Sequence, residues 1–438
     1  MAYDIIIGRD DTDREKFGKT GLIFLGKSYV KMGQTTSLSN NVYLDVNKAH
    51  VILICGKRGT GKSYSASVIA EEISRMPEDI KQNISVLIFD TMGIFWTMKF
   101  PNIRQEKLLR EWGIEPSAID IDIYTPTGYF KEYQEKGIAT DYAFAIKTSD
   151  LNAGDWAEVF EVSLTDPIGV IIEKIIIKLK EKENYSVKDI IEGIMKDETT
   201  ETTTKNAAIN RFVAADSWGL FNEYGSTIND IIKAGRVSIL DVSCYTSVSG
   251  SWGIKNLVIN YLCGKLLTSR ITSRKEEEKK SIETEGRFFS EIPTKNAPLT
   301  WVMIDEAHQV LPKDDKTDGT NAIIQLLREG RQPGISLVLA TQQPGEINKE
   351  VLTQSDIVLS HKLTSAIDMA ALSSMMQSYL LSDINEYIND LPKLTGSAII
   401  LDDNSERIYP LRVHPKRSWH GGETPSVLIQ KKEFNLNI

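Results

Sequence analysis

Three clusters of residues in this sequence have the types and spacing for chemistry on a phosphate ester. The first is Gly56-Lys57-Arg58-Gly59-Thr60-Gly61-Lys62-Ser63. Its glycines let the backbone wrap closely around an anion with N–H groups pointing inward. An apolar stretch, 50 to 55, precedes it, and a helical pattern, 62 to 75, follows. The N-terminus of that helix adds about half a positive charge at the same point. A full match to G-x-x-x-x-G-K-[ST] between a strand and a helix predicts an ATP-binding loop. Gly56, Lys57, Arg58, Gly59, Thr60, Gly61, Lys62, Ser63 and Tyr64 make up the expected nucleotide-binding set. Within it, Lys62 is expected to reach the β- and γ-phosphates and Ser63 to bind Mg2+.

The second cluster is Trp301-Val-Met-Ile-Asp305-Glu306-Ala-His308, four apolar residues whose end presents two carboxylates. Asp305 is expected to hold the magnesium, directly or through water. Glu306 stands where a base can orient and activate an attacking water. The third cluster is Thr341-Gln342-Gln343, which follows the apolar stretch 336 to 340. An amide at that tip, Gln342, can touch the γ-phosphate or its water and report hydrolysis to the next segment.

These clusters need a frame. Short β-branched segments recur at 50–55, 86–90, 119–124, 237–242, 301–305, 336–340 and 357–360. Strands apolar along their whole length are buried on both faces, which predicts an α/β fold with a mainly parallel sheet covered by helices. Residues 150 to 233 place apolar side chains at three- and four-residue intervals and read as a helical insertion. Residues 1 to 48 carry short β segments separated by Gly, Asn and Ser, too few for a large core of their own, so a small β cap or barrel is expected there. Residues 274 to 288 are dense in charge and read as a solvated helix end or loop. Residues 396 to 413 resemble a β-hairpin, and the tail from 414 to 438 shows no pattern. The expected organisation is a β region over 1–48, an ATPase core over 49–413 and a C-terminal tail.

The bulk composition sets limits. The 438 residues are 41% hydrophobic and 25% charged, ordinary for a globular chain. No apolar run approaches the roughly 18 residues of a membrane helix, and the start lacks a signal-peptide pattern. Three scattered cysteines, Cys55, Cys244 and Cys263, fit a reducing cytoplasm and no zinc site. A net charge of −9 argues against a broadly basic nucleic-acid-coating surface. It leaves room for local basic loops, since phosphate attraction is screened within about 10 Å.

Asp-Glu-Ala-His brings two-core helicases to mind, but only about 130 residues follow Glu306 and they are needed to complete the first sheet. An arginine for the γ-phosphate then comes most simply from a neighbouring subunit in a ring, where such a finger is worth ~10³–10⁵ in rate. The sequence resembles the HerA branch of the HerA/FtsK superfamily. The segments that carry the resemblance are Ala49 to Ser63, Ile304-Asp-Glu-Ala-His308, and above all Leu327-Arg-Glu-Gly-Arg-Gln-Pro-Gly-Ile-Ser-Leu-Val-Leu-Ala-Thr-Gln-Gln-Pro344, with similarity continuing through 351–359 and Asp368.

The resemblance implies a RecA-like fold, a homo-hexameric ring and ATP-driven movement along double-stranded DNA. It further implies a finger at Arg331, with Arg328 as the nearby alternative, against a reading of both as structural ion pairs. It also implies work with a NurA-like nuclease or another effector protein, in DNA end processing or phage defence. Two departures stand out. The N-terminal region is shorter than the family's barrel, and Ala49 replaces an arginine common before the first core strand. Lys313, Lys316 and Lys349 follow the second and third clusters, and ordinary solvated lysines are the default reading for them. A scaffold ATPase that assembles an effector without obligatory DNA movement is the alternative function, and a VirB4-like secretion ATPase ranks third.

Overall fold

The computed structural model describes residues 3–32, 35–248, 250–284, 297–313, 321–375 and 384–422. Among these residues a single sheet of 13 strands dominates. Its central block is parallel and runs in the order Ile357–His361, Val51–Cys55, Ile335–Thr341, Leu299–Ile304, Ile84–Asp90, Val237–Asp241, Ile121–Pro126 and Tyr142–Phe144. Successive side chains on a strand face opposite ways. Accordingly Ile52 and Ile54 enter one apolar core, with Val68, Trp301 and Val338, while Leu53 and Cys55 enter the other, with Leu87, Val302 and Leu339. Both faces are covered, which is why these strands read as unbroken apolar runs.

The helix Lys62–Ser74 covers the first face. The second is covered by the 34-residue helix Ser251–Thr284, the helix Asn321–Glu329 and the helical insertion. The insertion starts its helices with local signals: Asn152 with Asp155, Ser186 with Asp189, and Thr227 with Asp230 form reciprocal caps, and Pro167 opens the helix Pro167–Leu179. It is pinned by clustered aromatics, with the Trp156 and Phe212 rings edge to face, 5.0 Å apart. Of the charged run 274–288, the part to 284 continues the long helix, and the rest lies outside the described residues.

The sheet does not stop at the parallel block. Ser397–Asp402 and Arg407–Val413 add antiparallel strands beyond Ile357–His361. The N-terminal strands Leu22–Met32 and Thr35–Asp45 continue it further, through Leu411↔Ser28 and Val413↔Gly26. Gly26 is required at this junction, since a Cβ there would lie 2.1 Å from the Arg412 carbonyl oxygen. The N-terminal strands are longer than the segments visible in sequence, because their polar outer positions hide the alternation.

Two polar networks lock the periphery to the core. Arg9 pairs with buried Asp45, and His50 Nδ1 lies 2.7 Å from Asp356 and its Nε2 3.6 Å from Asp45. Burial opposes a charge on His50, but bonding to Asp356 and Asp45 outweighs it and lifts the imidazole pKa to about 9. The second network holds residues 414–419 against the helix Lys62–Ser74. Buried Glu71 accepts from the N–H groups of Arg417 at 2.9 Å and Ser418 at 3.1 Å, and from the Ser418 hydroxyl.

Candidate functional site

The three chemical clusters sit on three adjacent strands. Val51–Cys55 feeds the glycine loop, its neighbour Ile335–Thr341 leads to Gln342, and the next strand, Leu299–Ile304, leads to Asp305 and Glu306. All three run parallel, so all three tips open at the same end of the sheet, where ligands bind in open α/β folds. Residues 242 positions apart thereby meet: the Ser63 hydroxyl donates to Asp305 Oδ2 at 2.6 Å.

The loop is shaped by its glycines and by bonds from behind. Gly61, at φ 114°, starts the helix Lys62–Ser74 from a conformation that other residues rarely adopt. The Lys57 N–H donates to the Lys362 carbonyl at 3.1 Å, and the Thr60 hydroxyl donates to the Lys57 carbonyl at 2.8 Å. Lys62 is buried, and its ammonium makes one long bond of 3.4 Å to the Lys57 carbonyl. It has no ion-pair partner among the described residues. Burial holds its pKa below the usual lysine value, against the pull of Glu306 and Asp305.

Glu306 occupies an unusual position. Its backbone is left-handed, φ 52° and ψ 43°, a conformation that costs a non-glycine residue on the order of 1–2 kcal/mol. Its N–H donates to Asp305 Oδ1 at 2.9 Å. Its Oε1 accepts from Gln342 Nε2 at 2.9 Å, while its Oε2 is buried without a hydrogen-bond partner. Burial, followed by the Asp305 charge, raises its pKa above the ordinary carboxylate value, and Lys62, Gln342 and Arg58 work the other way. Burial likewise raises Asp305. His308 Nδ1 stands 3.1 Å from the Thr341 hydroxyl and 3.6 Å from Glu306 Oε2. Burial and then Lys62 lower its pKa, so it favours the neutral ring.

This arrangement fits the groups that the sequence implies. A buried ammonium with spare donors and a buried carboxylate oxygen with a spare lone pair act on each other across the mouth of the loop. A triphosphate and an attacking water would satisfy them. Ser63 Oγ and Asp305 are hard oxygen donors of the kind Mg2+ takes.

Other residues lie elsewhere. The Tyr64 hydroxyl donates to Gln105 Oε1 at 2.8 Å and accepts from the Lys416 N–H at 2.5 Å, so its side chain is committed to the C-terminal segment. Arg328 makes a two-bond pair with Glu350, at 2.6 and 3.2 Å. Arg331 is exposed, at the opposite end of Ile335–Thr341 from Gln342. Seven strand residues span roughly 23 Å, beyond the reach of an arginine side chain to its own nucleotide. Lys313 lies beside the Gln342 loop, its N–H bonded to the Glu346 carbonyl at 2.9 Å, and Lys316 lies outside the described residues. His308 and Thr341 are parts of the site that sequence reasoning left without a role, although both flank its motifs.

A family model described as the central domain of helicase HerA matches residues 30–266. The chain belongs to the HerA helicase family. A second model, for zonular occludens toxin, matches residues 224–385. The DNA double-strand break repair helicase HerA of Sulfurisphaera tokodaii is 22% identical over 417 residues, 93% of this chain and 74% of that protein. The probable helicase MJ1565 of Methanocaldococcus jannaschii is 24% identical over 420 residues, 93% of this chain and 72% of that protein. The alignment to the HerA helicase of Pyrococcus furiosus, at 24% identity, covers only 39% of that protein. Among solved structures, VirB4 of Thermoanaerobacter pseudethanolicus superposes with a TM-score of 0.53 at 14% identity, over 90% of this chain and 96% of that one. The conjugative coupling protein TrwB superposes with a TM-score of 0.50 at 12% identity, over 86% and 87%. The fold is thus the RecA-like P-loop type, and this HerA-family chain is an ATPase. Among the described residues no helix is long and apolar enough to cross a membrane.

Proposed function

We propose that this chain is the subunit of a cytoplasmic hexameric ring that hydrolyses Mg-ATP to move along or unwind double-stranded DNA. Its ring serves a nuclease, of the NurA kind, or another effector, in DNA end processing or phage defence. The observation that carries the reading is the meeting of Ser63 with Asp305 and of Glu306 with Gln342 beside the unpaired Lys62, in a chain of the HerA family.

In this reading the loop Gly56 to Tyr64 binds the nucleotide and Lys62 holds the β- and γ-phosphates. Mg2+, held by Ser63 and Asp305, would neutralise phosphate charge. Glu306 Oε2, free of other bonds, accepts a proton from the attacking water. Gln342, bonded to Glu306 Oε1, carries the change in that carboxylate to the strand Ile335–Thr341. Arg331, out of reach of its own site and unpaired among the described residues, serves the neighbouring subunit, and Arg328 is its alternate.

The test is ATPase rate and translocation on duplex DNA, wild type against Glu306→Gln, with and without the partner. DNA that leaves the wild-type rate unchanged in every setting removes the motor. The acidic balance, −9, favours a second reading in which the ring assembles and regulates an effector without obligatory DNA movement. That reading requires effector activity to survive in an assembled Glu306→Gln complex.

A further inference from the structure

We infer that His361 is a positioning residue for the phosphate loop, holding its back face so that its front is shaped for nucleotide before any arrives. This deepens the reading of the ATP site and rests on it. His361 ends the strand Ile357–His361, next to the strand that feeds the loop, and its side chain is fully buried. Its Nδ1 lies 3.0 Å from the Ser397 carbonyl, and its Nε2 lies 3.0 Å from the Ser65 hydroxyl.

A carbonyl can only accept, so Nδ1 carries the proton. Burial, with the Lys62 charge adding to it, lowers the ring's pKa to about 4, and the imidazole is neutral. Nε2 is therefore an acceptor and the Ser65 hydroxyl donates to it. One ring thus ties the first turn of the helix Lys62–Ser74 to the strand Ser397–Asp402.

The loop lies against this residue. A Cβ at Gly56 would stand 2.6 Å from His361 Cβ, and one at Gly61 would stand 3.6 Å from its Cε1. Both ends of the loop therefore lie close to one side chain, Gly61 with the Gly396 backbone beside it, and the next residue, Lys362, takes the Lys57 N–H. A loop supported in this way does not relax into the space behind it. Loss of the support lowers the fraction of molecules ready to bind, and apparent affinity falls by that fraction. The step after binding depends on Glu306 and is untouched.

The experiment titrates a fluorescent ATP analogue and measures KM and kcat for the full-length wild type, Lys62→Ala, His361→Leu, Ser65→Ala and the double variant, with melting temperature recorded for each. Ser65→Ala is the milder change and keeps the test valid if His361→Leu folds poorly. Ser65→Ala is expected to raise Kd and KM about tenfold, the size of one lost buried hydrogen bond, and His361→Leu, which also loses the bond to Ser397, at least as much, each with kcat at saturating ATP within about twofold. The double variant is expected to be no worse than His361→Leu, because that variant already removes the bond that Ser65→Ala removes. Kd within twofold of wild type, additive losses, or a fall of kcat in step with melting temperature would overturn the role. A wild type that binds no analogue, like Lys62→Ala, would instead overturn the nucleotide site itself.

Discussion

Glu306 carries two costs at once, a left-handed backbone and a buried carboxylate oxygen with nothing bonded to it. Both fit the proposed role, in which the residue waits for a water and a phosphate. Replacing it by glutamine keeps its size and its neighbour Gln342 but removes the proton acceptor. Glu306→Gln is expected to bind nucleotide normally and to lose about 10²-fold or more in turnover, checked by single-turnover hydrolysis beside a binding titration. The pieces of this site that sequence revealed are those whose meaning is local. The spacing from Gly56 to Ser63, and two acids at the end of an apolar run, declare their chemistry without neighbours. His361 and His308 declare nothing alone. Their roles come from Ser65, Ser397 and Thr341, which only the fold brings near.

At the level of elements, the parallel strands and the helical insertion were legible because burial on two faces and helical spacing leave strong marks. The segment 414–422 left none. It is irregular, and its order comes from bonds to parts distant in sequence: the side chains of Tyr64, Glu71 and Asn102, and backbone groups of Phe100, Asn102 and Ser117. Glu71 takes three donors there, and Lys416 beside it is held down to about 8 by burial. Glu71→Ala strands those three donors, and is expected to cost about 3 kcal/mol in urea unfolding, the upper range for buried donors left unsatisfied. His50 makes a pH prediction. Its pKa, about 9 in the fold, lies above its value in the open chain, about 6.5, so the protonated ring stabilises the folded state. That contribution is complete below about 6.5 and disappears as pH rises through about 9, on the order of a few kcal/mol. Melting temperature measured from pH 6 to 10 is expected to fall over that window, and His50→Gln is expected to flatten the fall.

At the level of the whole molecule, Arg331 faces solvent far from its own Gln342, and the proposed ring would let it serve a neighbouring site. Mixing Arg331→Ala subunits with Lys62→Ala subunits is expected to restore part of the ATPase at mixed interfaces, with no rescue at any ratio excluding action in trans. The sequence suggested a small β cap or barrel over 1–48, since its segments are too few for a large core of their own. The structure runs its strands into the same sheet as the phosphate loop, through Leu411↔Ser28. A protein trimmed to begin at residue 49 would therefore not be a smaller working core. It would bare the backbone of Arg407–Val413 as a ready template for other chains, and leave His50 and Asp356 without Arg9 and Asp45. Such a truncation is expected to precipitate or pair edge to edge on expression, as light scattering would show.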